Sequence, residues 1–305
     1  MTEASTKTST QSRAQLLAWV LALRPKTMTA AIVPVMVASA LVIAQRFEFK
    51  TSLSVCALFS AIFIQIGTNL INDAIDFKKG ADDEKRIGPV RVTQSGLLTH
   101  RAVMTGGLGC FAVAALLGIP LVLACGWPIV IIGVLSLLCG YIYTGGPFPL
   151  AYVGLGDLFV ILFFGIIAVG GTFYLHAQTL NYGALVAGLQ IGMLSTVLIA
   201  VNNLRDSPLD KLVGKKTLAV RFGIRFARFE ISFLAFAPFV LGLYWVFEGH
   251  FLAAVLPILS FPIARNLVMK IFKTEPAPVY NKYLAQSAAV HLLFGTFLTI
   301  GLLIR

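Results

Sequence analysis

Two short stretches of this chain hold the residues whose types and spacing could do chemistry. They are Asn72-Asp73-Ala74-Ile75-Asp76, continuing to Gly80 and Asp82, and Asn202-Asn203-Leu204-Arg205-Asp206, continuing to Asp210. In each, an Asn stands four residues before the first Asp (Asn69 and Asn202) and a Gly follows seven or eight residues after it (Gly80 and Gly214). Carboxylate and amide oxygens are hard ligands, and Mg²⁺ is typically held by one or two carboxylates together with substrate phosphates and water. Two matched clusters therefore suit two halves of one cation site, in which metal ions bridge the protein to a diphosphate. The alternating oxygen ligands of an EF-hand, closed by a Glu, are absent, which argues against calcium.

Each cluster sits where a long apolar segment ends. The chain has 305 residues, 58% hydrophobic and 12% charged, with a mean hydropathy of +0.87. That excludes a soluble domain of this length and reads as an all-α polytopic membrane protein. Apolar runs of about 20 residues predict nine spans, near 16–45, 52–76, 102–123, 127–145, 153–175, 182–204, 229–248, 251–272 and 284–304. Residues 1–15 form a polar tail with no small-residue cleavage site after it, so no signal peptide is evident. Residues 16–305 read as a single membrane domain.

The net charge of +11 follows membrane topology rather than nucleic-acid binding. With nine alternating spans and a cytoplasmic N-terminus, 21 of the 24 Lys and Arg fall on one side, and only Arg46, Lys50 and Arg305 fall opposite. That is the positive-inside asymmetry, and it turns both acidic clusters to the cytoplasm. Cys56, Cys110, Cys125 and Cys139 form no C-x-x-C pair and read as packing residues. His100, His176, His250 and His291 lack metal-ligand spacing and read as structural.

On the second span, Gln65, Asn69, Asn72, Asp73 and Asp76 recur at i, i+4, i+7, i+8 and i+11, one helical face. Carboxylates at the edge of hydrocarbon are costly, and such a stripe must turn toward the protein interior or a water-filled cavity. Gln65 and Asn69 serve equally well as a hydrogen-bonded seam between helices. On the sixth span, Pro208 predicts that the helix ends at Ser207 and that a short second helix begins with Ser207 as its cap. Asp210 then stands three residues past the cap, where it can satisfy a backbone N–H.

Basic residues follow both clusters: Lys78, Lys79, Arg86 and Arg91 after the first, Arg205, Lys211, Lys215 and Lys216 after the second. With Mg²⁺ they would neutralise a diphosphate, Arg91 and Lys215 being the candidate contacts, although positive-inside bias alone also places cations here. A diphosphate held at the membrane boundary implies a lipid tail between the helices. Metal-assisted loss of diphosphate from an allylic lipid leaves a carbocation that an electron-rich acceptor could capture in a dry pocket. Tyr141, Tyr143, Phe148 and Tyr152 lie where aromatic faces could stabilise it, and where tyrosines also form interfacial belts.

Asn72-Asp73-x-x-Asp76 with Asp82 downstream, paired with Asp206-x-x-x-Asp210, resembles the two aspartate-rich motifs of the UbiA superfamily of intramembrane prenyltransferases. Four further segments are similar to its dihydroxynaphthoate-prenylating members. These are Arg24-Pro25-Lys26-Thr27; Arg86-Ile87-Gly88-Pro89-Val90-Arg91 with Gln94-Ser95-Gly96; Tyr143-Thr144-Gly145-Gly146-Pro147 with Pro149-Leu150-Ala151-Tyr152; and Asn202 to Asp206 with Gly214-Lys215-Lys216-Thr217-Leu218-Ala219-Val220-Arg221. The resemblance implies nine transmembrane helices around a central cavity opening near the cytoplasmic face of a bacterial-type inner membrane. It implies Mg²⁺-dependent transfer of a polyprenyl chain from its diphosphate to 1,4-dihydroxy-2-naphthoate, with the ring carboxylate lost as CO₂, giving demethylmenaquinone. The implied metal ligands are Asn72, Asp73, Asp76, Asp82, Asp206 and Asp210, with Asp73, Asp76, Asp206 and Asp210 as the catalytic set. The implied substrate contacts are Arg24, Lys26, Gln65, Asn69, Arg91, Gln94, Tyr143, Asn202, Arg205 and Lys215. Gly80 departs from the broad pattern, since many members place a third Asp there.

Two other readings compete. A sister prenyltransferase acting on 4-hydroxybenzoate, homogentisate or a porphyrin-type acceptor shares the metal motifs. A transporter also sets Asp and Asn on facing helices, but near the bilayer midplane rather than at the ends of spans.

Overall fold

The first apolar run folds as two helices rather than one. In the computed structural model, which describes residues 15–80, 87–89 and 91–304, α1 (Gln15–Thr27) and α2 (Thr29–Ala44) meet at 49°. Proline disfavours right-handed helical geometry at the residue before it. Arg24, preceding Pro25, takes φ 52° in the left-handed region. A bend inside a bundle exposes backbone groups that need partners, and the polar face of α3 supplies them. The Asn69 amide donates to Leu23 O (3.2 Å) and Thr27 Oγ1 (3.0 Å), Gln65 Nε2 donates to Thr27 Oγ1 (3.2 Å), and Thr27 Oγ1 donates to Arg24 O (3.0 Å).

The remaining elements are α3 (Thr51–Lys78), α4 (His100–Cys125), α5 (Trp127–Ile142), α6 (Gly156–Ala177), α7 (Tyr182–Leu212), α8 (Leu218–Phe247), α9 (Phe251–Lys273) and α10 (Tyr280–Leu303). Among the described residues seven helices are long and apolar enough to cross a membrane, and eight if the bent α1–α2 pair is one span. Each predicted run has a helical counterpart, but α5 has 16 residues. At about 1.5 Å per residue that is roughly 24 Å, short of a hydrocarbon core of about 30 Å.

The two helices that carry the acidic clusters overshoot in the other direction. With 28 and 31 residues, α3 and α7 run to roughly 42 and 46 Å, longer than a hydrocarbon core of about 30 Å is thick. Gly80 (φ 70°) and Gly214 (φ 75°) then turn the chain in the left-handed conformation that ends helices.

α7 does not break at Pro208, contrary to the sequence expectation. It is one helix through Leu212. Proline removes the N–H that would bond Leu204 O, and Ser207 Oγ donates to that carbonyl instead, at 2.9 Å. Asn202, Asp206 and Asp210 therefore share one face, and Asp210 stands in the last turn of that helix rather than at the start of a new one. α8 likewise starts earlier than predicted, at Leu218, with a kink at Gly223 (φ 83°).

α7 is the most enclosed span, and its Ile191, Leu194, Val201 and Leu204 are buried in the core. α6 approaches it so closely that a Cβ on Gly165 would collide with Gly188 O and the Gly192 backbone. The π-helical segment Ile161–Ile167 lies at this contact, and its Phe163 and Phe164 line a cavity.

Candidate active site

Both acidic clusters end at the same face of the bundle, and the loop after α5 ties them together. On α3, Asp73 and Asp76 are 2% and 3% exposed. Asp73 Oδ1 accepts the Thr93 N–H at 3.2 Å. Asp76 accepts the Tyr152 hydroxyl at Oδ1 (3.1 Å) and faces Arg91 Nη2 from Oδ2 (3.7 Å). Asn72 Oδ1 accepts Thr144 Oγ1 at 2.7 Å. Thr144 and Tyr152 come from the 143–153 loop, so that loop is fastened to the first cluster at two points.

On α7, Arg205 is fully buried and uses four of its five N–H donors. It donates to Asp206 Oδ1 (2.8 Å) and Oδ2 (2.7 Å), to Asn202 Oδ1 (2.7 Å) and to Asn281 Oδ1 of α10 (2.7 Å). Asn281 Nδ2 donates in turn to Ile87 O at 3.1 Å, drawing the loop after α3 onto the second cluster. Asp210 Oδ1 pairs with Lys215 Nζ at 3.5 Å.

The halves meet at Tyr152. Lys79 Nζ lies 4.6 Å and Lys215 Nζ 5.0 Å from its ring centroid. Lys79 also donates to Thr144 O (2.6 Å), and Lys216 N–H to Tyr152 O (2.8 Å). Burial lowers the Lys79 pKa; Asp76 opposes that shift and Lys215 adds to it. The phenols of Tyr152 and Tyr143 are pushed well above the usual tyrosine range. For Tyr152 the causes are burial, then the charge and hydrogen bond of Asp76, then Asp210. For Tyr143 they are burial, then Asp157, Asp76 and Asp210, with Arg24 pulling the other way. Both therefore stay hydrogen-bond donors at neutral pH.

Below this end lies an apolar cavity of about 440 Å³ between α2, α3, α4, α5 and α6. It runs from Tyr143 and Leu150 at the aspartate end to Leu123 and Leu175 at the other. Its length and lining suit a hydrocarbon chain.

The predicted residues divide three ways. Asn72, Asp73, Asp76, Arg91, Tyr143, Asn202, Arg205, Asp206, Asp210 and Lys215 gather at this end. Gln65 and Asn69 spend their amides on the α1–α2 bend, the seam role; that bend also carries Arg24, half-buried, with Nη2 sealed and without a partner and with Asp73 and Asp76 within electrostatic reach. Lys26 is exposed beside the bend and Gln94 is half-buried. Asp82 and Arg86 lie outside the described residues. The four aspartates stand as two pairs; among the described residues no three of His, Cys, Asp and Glu gather as a metal site. Thr93 and Asn281 were missed, and nothing in their local spacing marks them; Thr144 lies inside the Tyr143-to-Pro147 segment singled out in the sequence, where no role was assigned to it.

A family model described as the UbiA prenyltransferase family matches residues 31–286. The chain belongs to that family. As a UbiA-family chain it is 34% identical to the 1,4-dihydroxy-2-naphthoate octaprenyltransferase of Escherichia coli K12, over 92% of this chain and 96% of that one. It is 38% identical to the enzyme of the same name from Mycobacterium tuberculosis, over 67% and 70%. The UbiA fold itself recurs in the homologue from Archaeoglobus fulgidus solved with DMAPP and Mg²⁺ (TM-score 0.62, 15% identity, 94% of this chain and 99% of that one). The apo homologue from Aeropyrum pernix K1 gives a TM-score of 0.68 at 13% identity, over 88% and 97%.

Proposed function

We propose that this UbiA-family chain transfers a polyprenyl group from its diphosphate to 1,4-dihydroxy-2-naphthoate, with loss of the ring carboxylate as CO₂, as a step toward menaquinone. The observation that carries the reading is the stacking of two carboxylate pairs and two lysines, joined through Tyr152, directly above an apolar cavity. The relatives' names supply the acceptor.

The donor set fits Mg²⁺, because every candidate ligand offers hard oxygen and each pair of carboxylates needs phosphate oxygens to complete a site. Asp73 with Asp76 would hold one ion and Asp206 with Asp210 another, and the metal when bound polarises the leaving diphosphate. Arg205 takes two of the roughly four lone-pair positions of Asp206, which leaves the others for a ligand and fixes the carboxylate's orientation. Lys79, Lys215 and Arg91 neutralise the diphosphate as it departs. The apolar cavity takes the tail and keeps water from the allylic centre, while the ring of Tyr143, which lines the cavity, faces the developing positive charge. Asp82 is a further candidate ligand, and Gln94 and Lys26 are candidate contacts at the rim.

The same reading counts α5 as a ninth, short span in a single membrane domain from residue 16 onward, places the aspartate end at the cytoplasmic face of a bacterial inner membrane, and puts the C-terminus opposite. The test is to incubate purified protein with Mg²⁺, a polyprenyl diphosphate and a panel of aromatic acids. Prenylated naphthoate released in step with labelled CO₂ from the carboxyl carbon is the expected result. Prenylation of 4-hydroxybenzoate with its carboxylate retained, and none of the naphthoate, would overturn the acceptor assignment.

A further inference from the structure

The outer face of α9 does not match the hydrocarbon it must meet. The first charge in this span is Arg265, so residues 251–264 are its whole uncharged run. Those 14 residues, five of them (Leu256–Ser260) in the more extended 3₁₀ form, rise roughly 21–24 Å against a hydrocarbon core of about 30 Å. Beyond them the helix divides into two faces. Ala264, Leu267, Val268 and Ile271 are buried, while Arg265, Asn266, Met269, Lys270, Phe272 and Lys273 are exposed. Positive-inside bias accounts for cations in loops and at helix ends. Arg265 is neither: it stands eight residues, roughly 12 Å, before the last residue of α9. A charge at that depth is costly unless something polar reaches it.

α8 completes the patch. It starts at the aspartate end, where Arg221 Nη2 donates to Val153 O (2.7 Å). α9 returns to that end, and Arg228 Nη2 of α8 donates there to Thr274 O (2.9 Å) and Glu275 Oε1 (2.8 Å). Beside that anchor Phe229 meets Phe272 edge to face, with ring centroids 5.6 Å apart. These contacts fix a seam between the two helices. Arg225 stands one turn before Arg228 and Phe229 on the same side of α8 and is exposed. Arg265 lies two turns below Phe272, at the i, i+7 spacing of one line along α9. Among the described residues Arg225, Arg265, Lys270 and Lys273 pair with no acid, and Glu275 is already held by Arg228. Glu230, the only acid of α8, is two residues on from Arg228 and so roughly 200° round the helix, away from the seam. Exposed Phe226 and Phe233 extend the line of Phe229 along α8.

We propose that the α8–α9 seam at the aspartate end binds an anionic phospholipid of the surrounding bilayer. Its phosphate sits between Arg225 and Lys273, Arg265 reaches up to it along its own apolar stem, and an acyl chain lies over Phe229, Phe233 and Met269. Charge selects this occupant. A second copy docking through the same face would set the same cations against each other, and a zwitterionic lipid brings an ammonium group along with its phosphate. An anionic headgroup satisfies Arg265 and supplies the polar contact that the short uncharged run of α9 lacks, and basic pockets between membrane helices suit such headgroups. The site lies outside the aspartate clusters and the apolar cavity, so it stands or falls independently of the prenyl-transfer reading.

The experiment uses full-length wild type, the triple variant Arg225→Gln/Arg265→Gln/Lys273→Gln, and the control Arg101→Gln, which removes an exposed cation from the start of α4. Each is delipidated in neutral detergent and titrated with phosphatidylglycerol or phosphatidylcholine, and bound lipid is counted by native mass spectrometry. Wild type and Arg101→Gln should retain phosphatidylglycerol in preference to phosphatidylcholine. The triple variant should bind phosphatidylglycerol roughly 100-fold more weakly, about fivefold per cation removed. Should the triple variant not fold, Arg265→Gln alone should show about the fivefold loss. No preference between the lipids in wild type, undiminished phosphatidylglycerol binding in the variants, or an equal loss in Arg101→Gln would each overturn the proposal. A wild-type dimer that the triple variant turns into a monomer, or a co-purifying acidic polypeptide that phosphatidylglycerol displaces, would also overturn it by giving the face to a protein.

Discussion

Replacing Arg205 with Ala removes a fully buried guanidinium and strands the carboxylate it grips. The side chain makes four hydrogen bonds of 2.7–2.8 Å, two of them a bidentate pair with Asp206. Breaking a buried pair by deleting one partner costs about 3–5 kcal/mol, because the surviving charge stays uncompensated. The Asp206 side chain is 13% exposed, so water relieves little of this. Asn202 and Asn281 each lose a charge-assisted bond as well, but those losses overlap with the first and are not added to it. Thermal unfolding in detergent should place Arg205→Ala about 3–5 kcal/mol below wild type. Arg205→Ala/Asp206→Asn should recover about 1–3 kcal/mol of that, since the stranded charge is gone. Arg205→Lys keeps the charge but not the planar fork, so it should fall between wild type and Arg205→Ala. A single variant that melts with wild type, or a double variant less stable than the single, would refute this account of the second cluster.

Asp73→Asn and Asp206→Asn should each abolish turnover while leaving folded protein in the membrane; near-normal activity in both would remove the metal-site reading. Cysteine labelling at positions 79, 211 and 305, in a variant stripped of native cysteines, should put 79 and 211 on one face and 305 on the other, whereas 79 and 305 together would contradict nine spans. Tyr152 has its pKa raised in the fold, so the neutral phenol is the stabilised form and its contribution is fully present below the unfolded value of about 10 and lost as pH rises beyond it. The phenolate absorbance of wild type and Tyr152→Phe should therefore coincide up to about pH 10, and an earlier divergence would mean that Tyr152 is not held by Asp76.

What the sequence made legible was periodic. The stripe from Gln65 to Asp76 specifies one face of one helix, and that face is indeed interior, yet spacing could not say that its upper residues mend the α1–α2 bend while its lower ones form the site. The division depends on Pro25 and Arg24, some 40 residues away in sequence. Pro208 misled for a similar reason. The local rule against helix at the residue before proline is sound, but Ser207 supplies the donor that Pro208 lacks, and a one-residue compensation is invisible to a propensity argument. Arg205 and Asp206 are adjacent, and neighbours at i and i+1 do not face each other on a helix. The guanidinium reaches round because Asn202, one turn back, and Asn281, from the last helix, hold its other nitrogens. Asn281, Thr144 and Thr93 act across gaps of 76, 72 and 20 residues from their partners, where only the folded chain joins them.

The lysines show how far charge alone carries the argument. Positive-inside bias accounts for Lys79 and Lys215 being at this end of the bundle, but not for both converging on one tyrosine ring from helices that end in separate acidic clusters. Two ammonium groups over one ring repel each other, and cation–π attraction of about 0.5–2 kcal/mol per contact offsets that only in part. Asp210 pairs with Lys215, and Thr144 O accepts from Lys79, so each lysine is anchored from its own half. An anion between them turns the repulsion into two attractions and joins the halves at the same time. A prenyl diphosphate, with metal ions that the two carboxylate pairs would hold, would have the charge for this, and its lipid tail would have the cavity beneath. The arrangement is most favourable with substrate present, which is the condition for an interaction that contributes to binding and then to departure of the leaving group.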